Sequence, residues 1–117
     1  MLVTKSFYFE SAHKLEDYDG KCKNLHGHSY RLEVTIEGKV NENGMVMDFS
    51  KLKKIVNEQI IDKLDHSYSN DIIKIPTAEN TLIYIWSKLK TKLPLYELKL
   101  WETRDSYATY RGKNESN

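Results

Sequence analysis

Apolar and polar residues alternate over residues 2–12, where Val3, Phe7 and Phe9 share one parity in a stretch rich in Val, Thr, Phe and Tyr. That pattern predicts a first strand with His13 at its end. A second alternation places Tyr30, Leu32, Val34 and Ile36 on one face, and His26 and His28 continue the same parity. Gly38 and the Asn41-Glu42-Asn43-Gly44 cluster close this strand with a turn. The period then changes. Phe49, Leu52, Ile55, Val56 and Ile60 recur at helical spacing, predicting a helix from an Asp48 cap to about Leu64, with Lys51, Lys53, Lys54 and Glu58 in water. A second helix begins near Thr77, just after Pro76, and carries Leu82, Ile85, Trp86, Leu89 and Leu93 on one stripe until Pro94 stops it. Alternation returns from Leu95 to Thr103, with Tyr96, Leu98, Leu100 and Glu102 on one face, and residues 106–110 are short and β-prone. Residues 14–23 and 65–71 are polar without a period and read as loops, and residues 113–117 as a frayed tail.

The order strand, strand, helix, helix, strand, strand predicts an α+β layer: an antiparallel sheet of four strands with both helices on one face, in a single domain over residues 1–117. So small a sheet leaves two edges, and pairing them with other copies of the chain is the natural way to cover them. A homo-oligomer with a site shared between subunits is therefore expected. Composition narrows the class: 39% hydrophobic and 30% charged residues suit a soluble globular protein, and a formal net charge of +1 gives no reason to expect nucleic acid as a partner. The chain has no apolar run long enough to span a bilayer and no charged-then-apolar opening of a secretion signal, so no membrane partner and a cytoplasmic location are expected. Cys22 is the only cysteine, which excludes an intramolecular disulfide and predicts a reduced thiol.

Candidate chemistry gathers around Cys22-Lys23-Asn24-Leu25-His26-Gly27-His28. Side chains two apart on a strand share a face, so His26 and His28 can reach one metal ion, and Gly27 keeps a side chain out of the way. His13, at the end of the neighbouring strand, is the third imidazole, and three histidines with an open position are the ligand set of a catalytic zinc. The competing reading makes each histidine an ordinary hydrogen-bonded side chain. Cys22 reads as a small buried hydrophobe, a fourth ligand closing a structural site, or a nucleophile or base whose thiolate a nearby dication favours. Asp65-His66 reads either as a carboxylate and an imidazole acting together in proton transfer or as a polar loop. Glu102 sits on an apolar parity, where a carboxylate is costly unless hydrogen bonds are donated to it; a heterocycle with two adjacent N–H groups would suit it. Thr77-Ala78-Glu79-Asn80 looks first like a helix start capped by Thr77.

Taken together, Phe9-Glu10-Ser11-Ala12-His13, residues 22–30, Gly44-Met45-Val46-Met47-Asp48-Phe49, Leu64-Asp65-His66, Pro76-Thr77-Ala78-Glu79-Asn80 and Trp101-Glu102-Thr103 resemble the 6-pyruvoyl-tetrahydropterin synthase / 6-carboxy-tetrahydropterin synthase family. The resemblance implies the tunnelling fold, in which sheets of several subunits join into a barrel, commonly as a hexamer. It implies His13, His26 and His28 as ligands of Zn2+, and Cys22 as catalytic thiol. Asp65 and His66 become a proton-transfer pair, Glu102 the anchor of the pterin ring, and Thr77 and Glu79 further substrate-binding residues. The implied substrate is 7,8-dihydroneopterin triphosphate, whose side-chain hydroxyls the zinc polarises while a base removes protons and triphosphate leaves. Three residues separate Cys22 from His26, as in the carboxy branch of queuosine and deazapurine biosynthesis; the pyruvoyl branch has a longer gap. A lyase that also releases acetaldehyde is the leading expectation, with the pyruvoyl reaction as its nearest rival. A non-catalytic zinc-binding module and a metal-free thiol hydrolase are alternatives of other classes. Ser69 stands where the family usually has leucine, which bears on how that loop packs.

Overall fold

The computed structural model describes residues 1–15 and 25–113. Strands β1 (Leu2–His13) and β2 (His26–Glu37) form one long antiparallel ladder from the Leu2/Glu37 pair to the His13/His26 pair. Helix α1 (Phe49–Val56) follows, capped by Asp48, whose carboxylate accepts from the Ser50 amide at 2.8 Å. It runs through a π-helical turn (Asn57–Ile61) into a last turn, α2 (Asp62–Leu64), giving helix over the whole span expected. Strand β3 (Ser67–Tyr68), a 3-10 turn (Ser69–Asp71), helix α3 (Ala78–Leu89), β4 (Leu95–Trp101) and β5 (Tyr107–Tyr110) complete the described chain.

The sheet order is β3-β1-β2-β4-β5. The four longer strands are antiparallel neighbours, as the alternation predicts; β3 adds a fifth, only two residues long and parallel to β1. Phe7 and Phe9 of β1, Leu32 and Val34 of β2, and Leu98 and Leu100 of β4 point to the same side and are buried there under the helices. Each such aliphatic or aromatic side chain contributes about 1.5–3 kcal/mol by leaving water.

Two local departures have physical causes. Tyr96, expected on the core face, is exposed because the β2/β4 register slips between Thr35 and Ile36, so Leu95 rather than Tyr96 faces Ile36. The buried positions of the first helical rod, Leu52, Val56, Ile60 and Leu64, are four apart. In an unbroken α-helix these 12 steps would rotate the last side chain about 120° from the first. The π turn takes up one residue and cuts that drift to about 20°, keeping all four over the sheet.

Candidate metal centre and proton-transfer pair

The β1/β2 register places His13 opposite His26 and Ser11 opposite His28. All three imidazoles therefore point to the helix side, where β2 continues into the buried Tyr30 and Leu32. Their rings meet edge to face with centroids 4.6, 4.7 and 5.0 Å apart, and one nitrogen from each lies within 4.8 Å of the others. His13 Nε2 and His26 Nε2 are 3.1 Å apart. Two nitrogens bound tetrahedrally to zinc at about 2.05 Å would be about 3.3 Å apart, close to that separation.

Second contacts orient these rings. The Tyr30 hydroxyl lies 3.1 Å from His13 Nδ1, and Tyr30 itself stacks on Phe9 at 5.0 Å. With Nδ1 engaged, Nε2 of His13 is turned toward the centre of the cluster. His28 Nε2 is buried without a hydrogen bond, although Glu102 Oε1 lies 3.4 Å away. That separation permits attraction but is long for a hydrogen bond. A buried imidazole nitrogen with no hydrogen bond is free to serve as a ligand, so the donor set fits a divalent ion. Burial, and then the adjoining His26 and His28 rings, hold His13 below the ordinary imidazole range; Glu102 and the Pro76 carbonyl pull the other way. Burial does the same to His28, against the opposing pull of Glu102. Both shifts favour the neutral imidazole that a metal needs.

Asp65 and His66 lie where α2 ends against β1. Adjacent side chains ordinarily diverge, yet here His66 Nδ1 is 3.1 Å from Asp65 Oδ1. The cause is the backbone: His66 has φ 56, the one non-glycine residue in the left-handed region among the described residues, and this turns its ring back over Asp65. The Glu10 amide donates to Asp65 Oδ1 at 2.8 Å, while the His66 amide donates to the Glu10 carbonyl. That Glu10 amide, and after it His66, holds the Asp65 carboxyl below the usual carboxylate range. His66 is 79% exposed, so its Nε2 edge is open to an incoming molecule.

An open groove of about 420 Å³ joins the two parts, lined by Glu10, Ala12, Gly27, His28, His66 and Ser67. Gly27 lies within β2 without left-handed backbone, and a Cβ there would meet only the Ser11 carbonyl at 3.7 Å. Backbone freedom is thus not what glycine supplies; it leaves the groove floor open. Thr77 caps α3, accepting from the Asn80 amide at 3.1 Å, and Glu79 is an exposed residue of the first turn. Thr77 follows Pro76, whose carbonyl reaches His13. Cys22 lies outside the described residues.

Several neighbours of the site were not singled out by sequence pattern. Tyr30 shares the histidine parity and could have been found from it. Glu10, Ser11 and Asn70 could not, because their roles arise from contacts with a segment more than fifty residues away.

Residues 2–113 match the 6-pyruvoyl tetrahydropterin synthase family. A protein of Archaeoglobus fulgidus provisionally named 6-carboxy-5,6,7,8-tetrahydropterin synthase is 44% identical over 112 residues, spanning 95% of this chain and 96% of its own. The 6-pyruvoyl tetrahydrobiopterin synthase of Dictyostelium discoideum is 39% identical over 131 aligned positions, covering 97% of each. Among solved structures, Caenorhabditis elegans 6-pyruvoyl tetrahydropterin synthase superposes with a TM-score of 0.86 at 31% identity, over 97% of this chain and 96% of that one. With its sheet, its histidine cluster and nearly its whole length accounted for, the chain belongs to the 6-pyruvoyl tetrahydropterin synthase family.

Proposed function

We propose that this enzyme, a pterin lyase of its family, converts 7,8-dihydroneopterin triphosphate and one water to 6-carboxy-5,6,7,8-tetrahydropterin, acetaldehyde and triphosphate. The observation that carries the reading is that one groove is lined both by His28, a member of the cluster of three convergent imidazoles, and by His66, an exposed imidazole backed by a carboxylate. His13, His26 and His28 hold a divalent ion, zinc by the chemistry of the donor set, and that ion supplies Lewis-acid polarisation of the side-chain hydroxyls. His66 moves a proton at Nε2, because Asp65 occupies Nδ1 and stabilises the imidazolium. Glu102, 3.4 Å from His28, accepts from paired N–H groups of the pterin ring and so sets the side chain against the imidazoles. Cys22 acts as the catalytic thiol, and Thr77 and Glu79 border the bound substrate.

The three-residue interval between Cys22 and His26 favours the carboxy product. The likeness to the Dictyostelium enzyme keeps the pyruvoyl product as the second reading. We further propose that copies of the chain pair their sheet edges into a hexamer in the cytoplasm. β1 is covered by β3 only at Ser11 and Ala12, which leaves most of that edge for a partner.

Metal-assayed protein incubated with 7,8-dihydroneopterin triphosphate, with products identified by mass spectrometry and acetaldehyde measured alongside, tests the assignment. Carboxy-pterin with acetaldehyde is the expected result. A pyruvoyl-pterin without acetaldehyde moves the chain to the other branch, and no turnover by folded, zinc-loaded protein overturns the reading.

A further inference from the structure

The segment holding Asp65 and His66 meets β1 along a seam much longer than the two-residue strand β3. At one end the Glu10 amide donates to the Asp65 carboxylate, and the His66 amide donates to the Glu10 carbonyl. In the middle Ser11 and Ala12 pair with Ser67 and Tyr68. The buried Ser11 hydroxyl also donates to the Ser67 carbonyl at 3.1 Å and lies 2.5 Å from the Ser69 hydroxyl. At the far end Asn70 Oδ1 accepts from the Lys14 amide at 2.9 Å, and Asn70 Nδ2 donates to the Lys14 carbonyl at 2.8 Å. The Asn70 side-chain amide thus behaves as one more peptide group of the parallel ladder, bonding both polar atoms of a single β1 residue.

From this seam we infer that Asn70 is a positioning residue: its two bonds to Lys14 lock the far end of the segment and thereby hold Asp65 and His66 at the groove. The inference rests on the reading of Asp65 and His66 as the proton-transfer pair. The lock has work to do because apolar anchorage is sparse here. Between the buried Leu64 and the buried Ile73, Tyr68 is 37% exposed and Ser69 is the only fully buried side chain. His66 is moreover held in a backbone region that costs a non-glycine residue about 1–3 kcal/mol, so the segment relaxes if the seam opens. A seam fixed at one end alone opens from the other. Asn70 closes it on Lys14, the residue after the ligand His13, so the imidazole cluster and the proton-transfer pair are referred to one rigid strand.

Full-length, zinc-loaded Asn70→Ala and Asn70→Asp test the lock with 7,8-dihydroneopterin triphosphate and with amide hydrogen exchange. The aspartate keeps the acceptor for the Lys14 amide but lacks the donor for its carbonyl, and it decides the question if the alanine variant does not fold. For Asn70→Ala we expect kcat to fall about 10- to 100-fold, the scale of a small misplacement of a reacting group. KM should stay within about twofold. Zinc content should be unchanged, and the aspartate variant should fall between. The His66 amide should exchange at least about tenfold faster while Leu32 and Val34 amides stay protected, a local opening and not global loss. An unchanged kcat with unchanged His66 exchange overturns the lock. Loss of zinc together with activity overturns it too, since Asn70 would then serve His13 instead of the pair. If the unsubstituted enzyme itself fails to turn over this substrate, the functional reading falls, and the exchange comparison alone still decides whether Asn70 holds His66.

Discussion

The end of the β1/β2 hairpin and the segment from Asp65 to Asn70 build the two halves of the candidate site by opposite means. In the hairpin, three imidazoles are set by an uninterrupted ladder, and Tyr30 and the Phe9 stack fix His13 from behind. In the segment, a two-residue ladder is supplemented by side chains of Asp65, Ser11 and Asn70 that bond backbone groups, and His66 sits at positive φ. The first half is a consequence of periodicity. The second is assembled piece by piece, and so fails piece by piece.

The sharpest way to separate the halves is to remove one ligand. His13→Ala should leave the sheet folded but lower metal affinity by more than about 100-fold, beyond the effect of losing an outer-shell partner alone, and activity should vanish with the metal. Metal analysis after gel filtration checks it, and full retention of zinc would remove His13 from the centre. Asp65→Asn strikes the other half. Proton transfer by a positioned group contributes about 10²–10⁴-fold, so kcat should drop within that range while zinc content stays constant. Steady-state kinetics beside metal analysis distinguishes this from ligand loss.

Lowering the pH should act on the first half through its ligands. His13 and His28 have folded values below the ordinary 6.5, so below pH 6.5 the unfolded chain binds more protons than the folded one. Stability is then greatest above pH 6.5 and declines as the pH falls toward the folded values, and protons compete with metal over the same interval. Thermal melts of metal-free protein from pH 7.5 down to 5.5 should show a falling Tm; a flat profile would mean that the two histidines do not titrate as their burial dictates. The smallest effect belongs to Gly27→Ala. Its new methyl group meets only ordinary contact distances, so stability should change by no more than about 0.5 kcal/mol. The groove floor should nevertheless rise, increasing KM with little change in kcat, and an unaltered KM would show that substrate does not lie over residue 27.

What could be read from the chain follows the same division. His26 and His28 declare a shared face by their spacing, and the apolar residues after them say that this face is buried. His13 follows once β1 and β2 are taken as neighbours. Glu102 is legible through the parity of Leu98 and Leu100, although its approach to His28 depends on the β2/β4 alignment. Asp65-His66 was legible as a candidate pair, but the geometry that brings the two together was not, because spacing along the chain does not reveal a left-handed residue. β3 was hidden for a related reason: two residues carry no period, and the serines and Asn70 that extend its seam look like ordinary loop composition. Ser69, where leucine is usual in the family, finds its explanation in the Ser11 hydroxyl beneath it. Tyr96 shows the converse, a regular alternation overruled by one bulge.

The π turn at Asn57–Ile61 has a consequence for how the chain can vary. It works as a one-residue vernier on everything downstream. Restoring α-helical winding there would turn α2 by about 100° relative to α1 and carry Asp65 away from the amide of Glu10. The exterior of this rod is exposed at Lys51, Lys53, Lys54, Glu58, Asp62 and Lys63, so it tolerates almost any polar substitution. Its length is another matter: a single insertion or deletion on that bland surface resets the phase at which Asp65 and His66 leave the rod, and homologues should differ there in letters far more readily than in number.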